Sequence, residues 1–143
     1  MIKFNVKISG TDKGKQEVID KCKLVLMKSM FKMEELAIDY APVDQGLLRN
    51  KITLFPQILN NHYVLNSGAS YSAAMEYGSR PYYAPIQPLK DWARRKFGDE
   101  KIGYAVQAKI AKSGIKSSPY MRPALNMTKN FFLPQYMKEV FNR

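Results

Sequence analysis

Residues that could support catalysis or bind a metal are few and scattered in this sequence. Cys22 is the single cysteine and His62 the single histidine. Cys22 falls on the apolar stripe of a predicted helix, which favours core packing over nucleophilic attack. His62 falls in a predicted hairpin, without a motif that would support a Ser-His-Asp triad. Because metal-binding spacings and glycine-rich phosphate loops are missing too, we expect no enzymatic activity, no cofactor and no metal.

Asp44 is the acidic residue whose surroundings are most informative. Pro42 disfavours helical geometry before it and should end a helix, and a short helical turn is predicted at 45–50. The Asp44 carboxylate is then predicted to cap that turn by accepting the amide hydrogen of Gly46 or Leu47. Glycine at 46 allows close packing or unusual dihedral angles. A catalytic Asp44 would need a neighbouring acid, base or metal, so we favour the structural role.

Two charges further along the chain are predicted to meet. Arg49 follows the Asp44 segment, and Glu76 lies in one or two predicted helical turns at 70–77 that Gly78 should close as a C-cap. An ion pair between Arg49 and Glu76 would tie the two segments together. The alternative is two solvated charges, which contribute only ~0–1 kcal/mol even when they meet.

A long amphipathic helix is predicted from about residue 15 to residue 40. Its core row is Val18, Cys22, Val25, Met33, Leu36 and Tyr40. A second apolar row on another side is Leu24, Met27, Phe31 and Ile38. A helix with two apolar sides generally has two partners. The second partner is predicted to be a neighbouring subunit at Leu24, Met27 and Phe31, and the alternative is deeper burial within the same domain.

Alternating residues predict a small antiparallel sheet. Strands are predicted at 2–8, at 52–59 and at 62–66, with a hairpin turn at 60–61. The hairpin should lie beside the N-terminal strand. At the other end of the chain, Pro119 and Pro123 predict a rigid turn that presents Tyr120 and Arg122 before a last helix, which Pro134 should kink or split. The fold class is therefore α+β.

Positive charge is concentrated in the second half of the chain. The sequence has 23 basic and 12 acidic residues, a net charge of +11. Two predicted helices at 86–114, the first with Trp92 and Phe97 on its inward face, form a basic helical subdomain. Its basic surface is predicted to comprise Lys90, Arg94, Arg95, Lys96, Lys109 and Lys112. Such a surface indicates an anionic partner, and the alternative is a solvated face that only aids solubility.

Three stretches stand in a characteristic order: A-P-V-D-Q-G-L-L-R-N at 41–50, Y-S-A-A-M-E-Y-G-S at 71–79 and S-P-Y-M-R-P-A-L at 118–125. They resemble the head-to-tail joining, or tail-completion, family of tailed bacteriophages, over roughly residues 30–125. Family members carry A-P-V-D-T-G-x-L-R, Y-A-x-x-x-E-Y-G-T and P-F-L-R-P-A, so this chain departs at Gln45, Ser72, Ser79, Tyr120 and Met121. The motif positions are Pro42, Asp44, Gly46, Arg49, Glu76, Tyr77, Gly78, Pro119, Arg122 and Pro123.

The resemblance implies a structural virion protein. Residues 1–143 would form a single head-to-tail joining domain, with 86–114 as the basic helical insertion found in many members. Copies would form an oligomeric ring at the neck or the top of the tail, in contact with other neck, connector and tail proteins around the DNA channel. Assembly would take place in the bacterial host cytoplasm, and we expect neither a signal peptide nor a membrane span.

Two questions stay open at the level of the sequence. The alternative function is sequence-nonspecific nucleic-acid binding, indicated by Trp92 beside Arg94, Arg95 and Lys96 and by the lysines that follow. In a ring, the basic face could contact DNA in the channel or dock on acidic patches of a neighbouring ring. Docking on protein is favoured slightly, because a dense ring of phosphate contacts would impede DNA that must slide quickly.

Overall fold

A long helix, a two-stranded antiparallel sheet and several shorter helices make up the α+β fold. The structure is a computed structural model that describes residues 12–57 and 62–142. Its elements in chain order are α1 (Asp12–Tyr40), α2 (Leu47–Asn50), β1 (Ile52–Gln57), β2 (His62–Ser67), α3 (Ser72–Tyr77), α4 (Ile86–Phe97), α5 (Ile102–Ser113), α6 (Met121–Met127), a π-helical segment (Thr128–Phe132) and α7 (Leu133–Phe141). The predicted strand at 2–8 and the predicted turn at 60–61 lie outside the described residues.

Helix α1 is the element against which much of the chain packs. Within the described residues it runs from Asp12, three residues before the predicted start, to Tyr40, close to Pro42, which was predicted to stop it. Its buried residues recur every fourth position, as Val25, Ser29, Met33 and Ala37. Ser29 is tolerated on this face because its hydroxyl donates to the carbonyl of Val25, at 2.8 Å.

The core lies where α1, the hairpin and α6 meet. It consists of Met33, Ala37, Ala41, Leu48, Ile52, Ala69, Tyr120 and Ala124. Alanine at 37 and at 124 is fully buried, and such small side chains let two helices approach closely. The ring of Tyr120 fills the remaining space and is only 1% exposed. The expectation that a proline-framed turn presents Tyr120 is therefore wrong, because Tyr120 has the largest fully buried side chain among the described residues.

The hairpin confirms the predicted pairing of the strands at 52–59 and 62–66. β1 and β2 are antiparallel, with Ile52 opposite Ser67, and the register continues through Pro56 opposite Tyr63. Ile52 on β1 is buried, whereas the cross-strand pair of Phe55 and Val64 is exposed. The hairpin therefore has one face on the core and one apolar pair on its outer face.

Helices α4 and α5 form a helical hairpin, which we call the basic lobe (residues 86–113). The backbone of Gly103 approaches that of Lys90 so closely that a Cβ atom at 103 would lie 2.9 Å from the amide nitrogen of Lys90. Ala93 is fully buried in the lobe. Phe97, predicted to face inward, is 59% exposed. That prediction is wrong because Phe97 ends α4, beyond the close helix crossing, and its ring only meets the edge of Trp92.

A π-helical segment interrupts the α-helical hydrogen bonding of the C-terminal helix just before the predicted proline, while the chain stays helical throughout. α6 begins at Met121, so Pro123 lies in its first turn, where an amide hydrogen has no helical partner in any case. Pro134 cannot donate to the carbonyl of Asn130, and the π-helical segment Thr128–Phe132 stands directly before α7. Within the described ranges, no helix is both long and apolar enough to cross a membrane.

Candidate assembly surface

Glu76 joins the second of the three motif stretches (71–79) to the third (118–125). Its Oε2 accepts the backbone amides of Tyr120 and Met121, at 2.8 and 2.9 Å. Its Oε1 accepts both the amide and the Nε–H of Arg122, each at 3.0 Å. The carboxylate thus caps the first turn of α6 from a distant helix, satisfying donors that no carbonyl within α6 can reach.

The Glu76 carboxylate is held in its charged form although its side chain is only 5% exposed. Burial acts to raise the pKa of Glu76, but hydrogen bonds from the backbone amides of residues 120–122, and then from the Arg122 guanidinium, outweigh it. The pKa of Glu76 is therefore lowered. A buried carboxylate that keeps its charge in this way depends on every one of these donors.

Arg49 does not pair with Glu76, so that prediction is wrong. Its Nε donates to the carbonyl of Ala41 at 3.2 Å, and its Nη2 to that of Asp39 at 3.1 Å. Arg49 lies on α2, just after α1 ends, and the last carbonyls of a helix lack partners within the helix. The guanidinium therefore caps the C-terminus of α1, while Glu76 binds Arg122.

The second and third stretches are also joined along their backbones. The amide of Ser118 donates to the carbonyl of Met75 at 2.7 Å, and the amide of Ser79 to that of Ile115 at 2.9 Å. Gly78 is the C-cap of α3 with φ 79°, which confirms its predicted role. The Arg122 guanidinium lies 4.8 Å from the ring centre of the exposed Tyr77. Residues 75–79 and 115–122 thus form one unit.

Asp44 does not cap α2, which corrects a second prediction. Gly46 itself occupies the cap position, with φ 75°, and no side chain completes the cap. The Asp44 carboxylate instead accepts Nη2–H of Arg95 at 2.9 Å. Both side chains are partly exposed, so the pair contributes only ~0–1 kcal/mol. Its consequence is geometric, because it links the loop after α1 to the basic lobe.

Half of the predicted basic surface is neutralised within the chain. Lys90 and Arg94 both pair with Glu100, at 3.4 and 2.5 Å, and Arg95 pairs with Asp44. The hydrogen bond from Arg94, followed by the charge of Lys90, lowers the pKa of Glu100. The sequence could not reveal these pairs, because their partners come from the inter-helix turn and from the loop after α1.

Other cations of this region have no carboxylate partner among the described residues. Of the predicted surface they are Lys96, Lys109 and Lys112. Three further cations also lack a carboxylate partner among the described residues, although they were not predicted as site residues: Arg80, Lys101 and Lys116. The unneutralised charge therefore lies mainly on α5 and the segments beside it, rather than on α4.

The second apolar row of α1 is exposed. Leu24, Met27 and Phe31 lie on the solvent side of the helix, and Phe31 is 54% exposed. Ile38, which was predicted for the same row, is half-buried and packs against the core. The row thus ends near Phe31, which borders a shallow cleft that Tyr136 also lines.

The described ranges contain no cluster of histidine, cysteine or acidic residues that could hold a metal ion. Cys22 is half-buried within α1. The features on which a functional argument can rest are thus the exposed apolar row of α1, the unit formed by residues 75–79 and 115–122 around Glu76, and the unneutralised cations near α5. Comparison of the chain with protein-family models, with curated proteins and with solved structures finds no match.

Proposed function

We propose that this chain is a structural virion subunit that forms an oligomeric ring at the neck or the top of a phage tail and joins head to tail around the DNA channel. The observation that carries the proposal is the contact of Glu76 with the first turn of α6. Two of the three stretches that resemble the joining family meet there. Glu76 and Arg122 of those stretches thus position helices relative to one another, as expected of a structural subunit.

The exposed row on α1 supports self-assembly. Leu24, Met27 and Phe31 present large apolar side chains on one side of a long helix. Apolar side chains grouped in this way are typical of surfaces that another protein covers. In a closed ring, each copy contributes two different patches to two neighbours, so that weak pairwise contacts reinforce one another. We assign the row to one of these patches.

The proposal gives the chain no catalytic role and makes neck, connector and tail proteins its partners. The ring would form in the host cytoplasm and remain in the virion. The alternative is that nonspecific nucleic-acid binding is the whole function. An isolated monomer that binds DNA in a salt-sensitive way and never assembles would favour that alternative, whereas assembly with capsid or tail proteins in the absence of DNA favours the ring.

Phe31→Asp is expected to leave a folded monomer that does not assemble. The side chain is exposed, so the charge costs the monomer little, but burying an unpaired carboxylate in an interface is strongly unfavourable. Particle formation and the unfolding transition would be measured together. Phe97→Asp is the matched control, because Phe97 is equally exposed but lies in the basic lobe. Normal assembly of Phe31→Asp would place the interface elsewhere.

A further inference from the structure

We propose that the exposed face of α5, together with Arg80, binds the sugar-phosphate backbone of double-stranded DNA. Lys101 and Lys112 stand at either end of this face, Lys109 lies beside them and Lys116 follows the helix. None of these side chains has a carboxylate partner in the part of the chain that the structure describes. The proposal depends on the proposed function only in placing the face within a ring.

A second copy of the chain is poorly suited to neutralise this face. Every acidic residue lies within the described ranges, and each carboxylate except that of Asp39 already accepts a hydrogen bond or an ion pair from its own chain. Among the described residues, a neighbouring copy would offer only three carboxylates without a cation partner of their own, those of Glu34, Asp39 and Asp99. The face therefore fits a different, anionic molecule.

The chemistry of the face favours phosphates over an acidic protein. Four of its five cations are lysines, which bind phosphate as mobile point charges, whereas lysine is depleted in protein–protein interfaces. Lys101, Ala105, Ala108 and Lys112 follow spacings of four, three and four residues, so they share one side of the helix. The two exposed alanines between the lysines let a DNA backbone approach α5 closely.

Exposed tyrosines accompany these cations. The loop before α4 lies along α5, because Gln107 donates to the carbonyl of Ala84 at 2.7 Å and the backbone of Gly114 abuts that of Ser79. This loop carries Tyr82 and Tyr83, the latter 83% exposed. Phenol hydroxyls donate to phosphate oxygens and the rings cover sugars, neither of which reads the base sequence.

Weak lysine contacts would also allow DNA to move along this face if it lined the channel of a ring. Lysine contacts to phosphate are independent of base sequence and exchange readily with counterions. Arg94 and Arg95 are each paired with a carboxylate of the same chain, so the arginine cluster of α4 presents less unneutralised charge than the face of α5 does. This placement replaces the expectation from sequence that the basic surface docks on acidic protein.

The test compares two triple variants of the full chain in binding to mixed-sequence double-stranded DNA, by fluorescence anisotropy over a range of salt concentrations. One variant combines Lys109→Gln, Lys112→Gln and Lys116→Gln. The control combines Lys51→Gln, Lys129→Gln and Lys138→Gln, which removes the same charge from other surfaces. With five contacts, log K against log salt should have a slope of about −4.5, falling to about −2 in the first variant. Affinity at 100 mM salt should fall at least about tenfold there and little in the control.

Three results would overturn the proposal: no binding to DNA, equal losses in the two variants, or displacement by polyglutamate as effective as by DNA of equal charge. Equal losses would mean that net charge alone matters, and effective polyglutamate would make an acidic protein the partner. Phe31→Asp should keep the salt slope per copy, because DNA binding at this face needs no ring. Failure of assembly and failure of DNA binding are therefore separate outcomes.

Discussion

Glu76→Ala is expected to lower the free energy of unfolding by about 3–5 kcal/mol, because it removes the side-chain acceptor of three helix-terminal amides and of the Arg122 Nε–H. The amides of residues 120–122 would lose their cap, and the Arg122 guanidinium would lose its carboxylate. No carbonyl within α6 can replace them, since these are the first amides of the helix. Urea denaturation followed by circular dichroism at neutral pH would measure the loss.

Glu76→Gln is the informative companion, because it keeps the shape and one acceptor oxygen but loses the charge. The folded pKa of Glu76 lies below its ordinary value of 4.5, so the carboxylate adds stability that is fully present above that value and is lost as the pH falls through the lowered pKa. The difference between wild type and Glu76→Gln should therefore shrink below about pH 4. A difference that does not change with pH, or a loss below about 1 kcal/mol in Glu76→Ala, would contradict the assigned cap.

Gly114→Ala should destabilise the chain by at least about 3 kcal/mol, because strain and a clash add up. Gly114 has φ 71° and ψ −165°, a region that is essentially restricted to glycine. A Cβ atom there would lie 2.0 Å from the carbonyl oxygen of Ser79. Since the obstacle is a backbone atom, the segment at Ser79, before α4, and the segment at Gly114, after α5, would have to move apart. The same denaturation experiment would measure the effect.

Gly98→Ala is a matched control within the same lobe. Gly98 has φ 75° and ψ −1°, a left-handed conformation that other residues tolerate at modest cost, and a Cβ atom at Gly98 would have no atom within 4 Å. We expect a loss of about 1–2 kcal/mol there. If the two alanine variants were equally stable, the close approach of Gly114 to Ser79 would not exist in solution.

The elements of this fold follow largely from local sequence patterns. The apolar spacing of α1, the alternation in the hairpin, and the glycines and prolines around α4 and α5 predicted most of the boundaries. Even the irregularity in the last helix could be predicted, because Pro134 lacks the amide hydrogen that a regular α-helix needs. These features depend on residues close together in the chain.

The partners of the charged side chains could not be predicted in the same way. Arg49 finds helix-terminal carbonyls, and Glu76 finds Arg122, because of distances that only the packed structure sets. The sequence predicted Asp44 as the N-cap of the short helix. In the structure, the left-handed Gly46 is the N-cap, so α2 begins three residues after Asp44, at Leu47. The free cations on α5 became apparent only once the pairs of α4 were known. Long-range electrostatics thus decides which of the predicted residues remain available for a partner.

The most direct test of the proposed function is electron cryo-microscopy of particles purified from cells that express this chain from its native genome, with the subunit located in the density. We expect a closed ring of copies between head and tail, with Leu24, Met27 and Phe31 buried at the boundary between neighbours. Finished particles that lack the chain, or that contain it outside the neck and tail top, would contradict the proposed function.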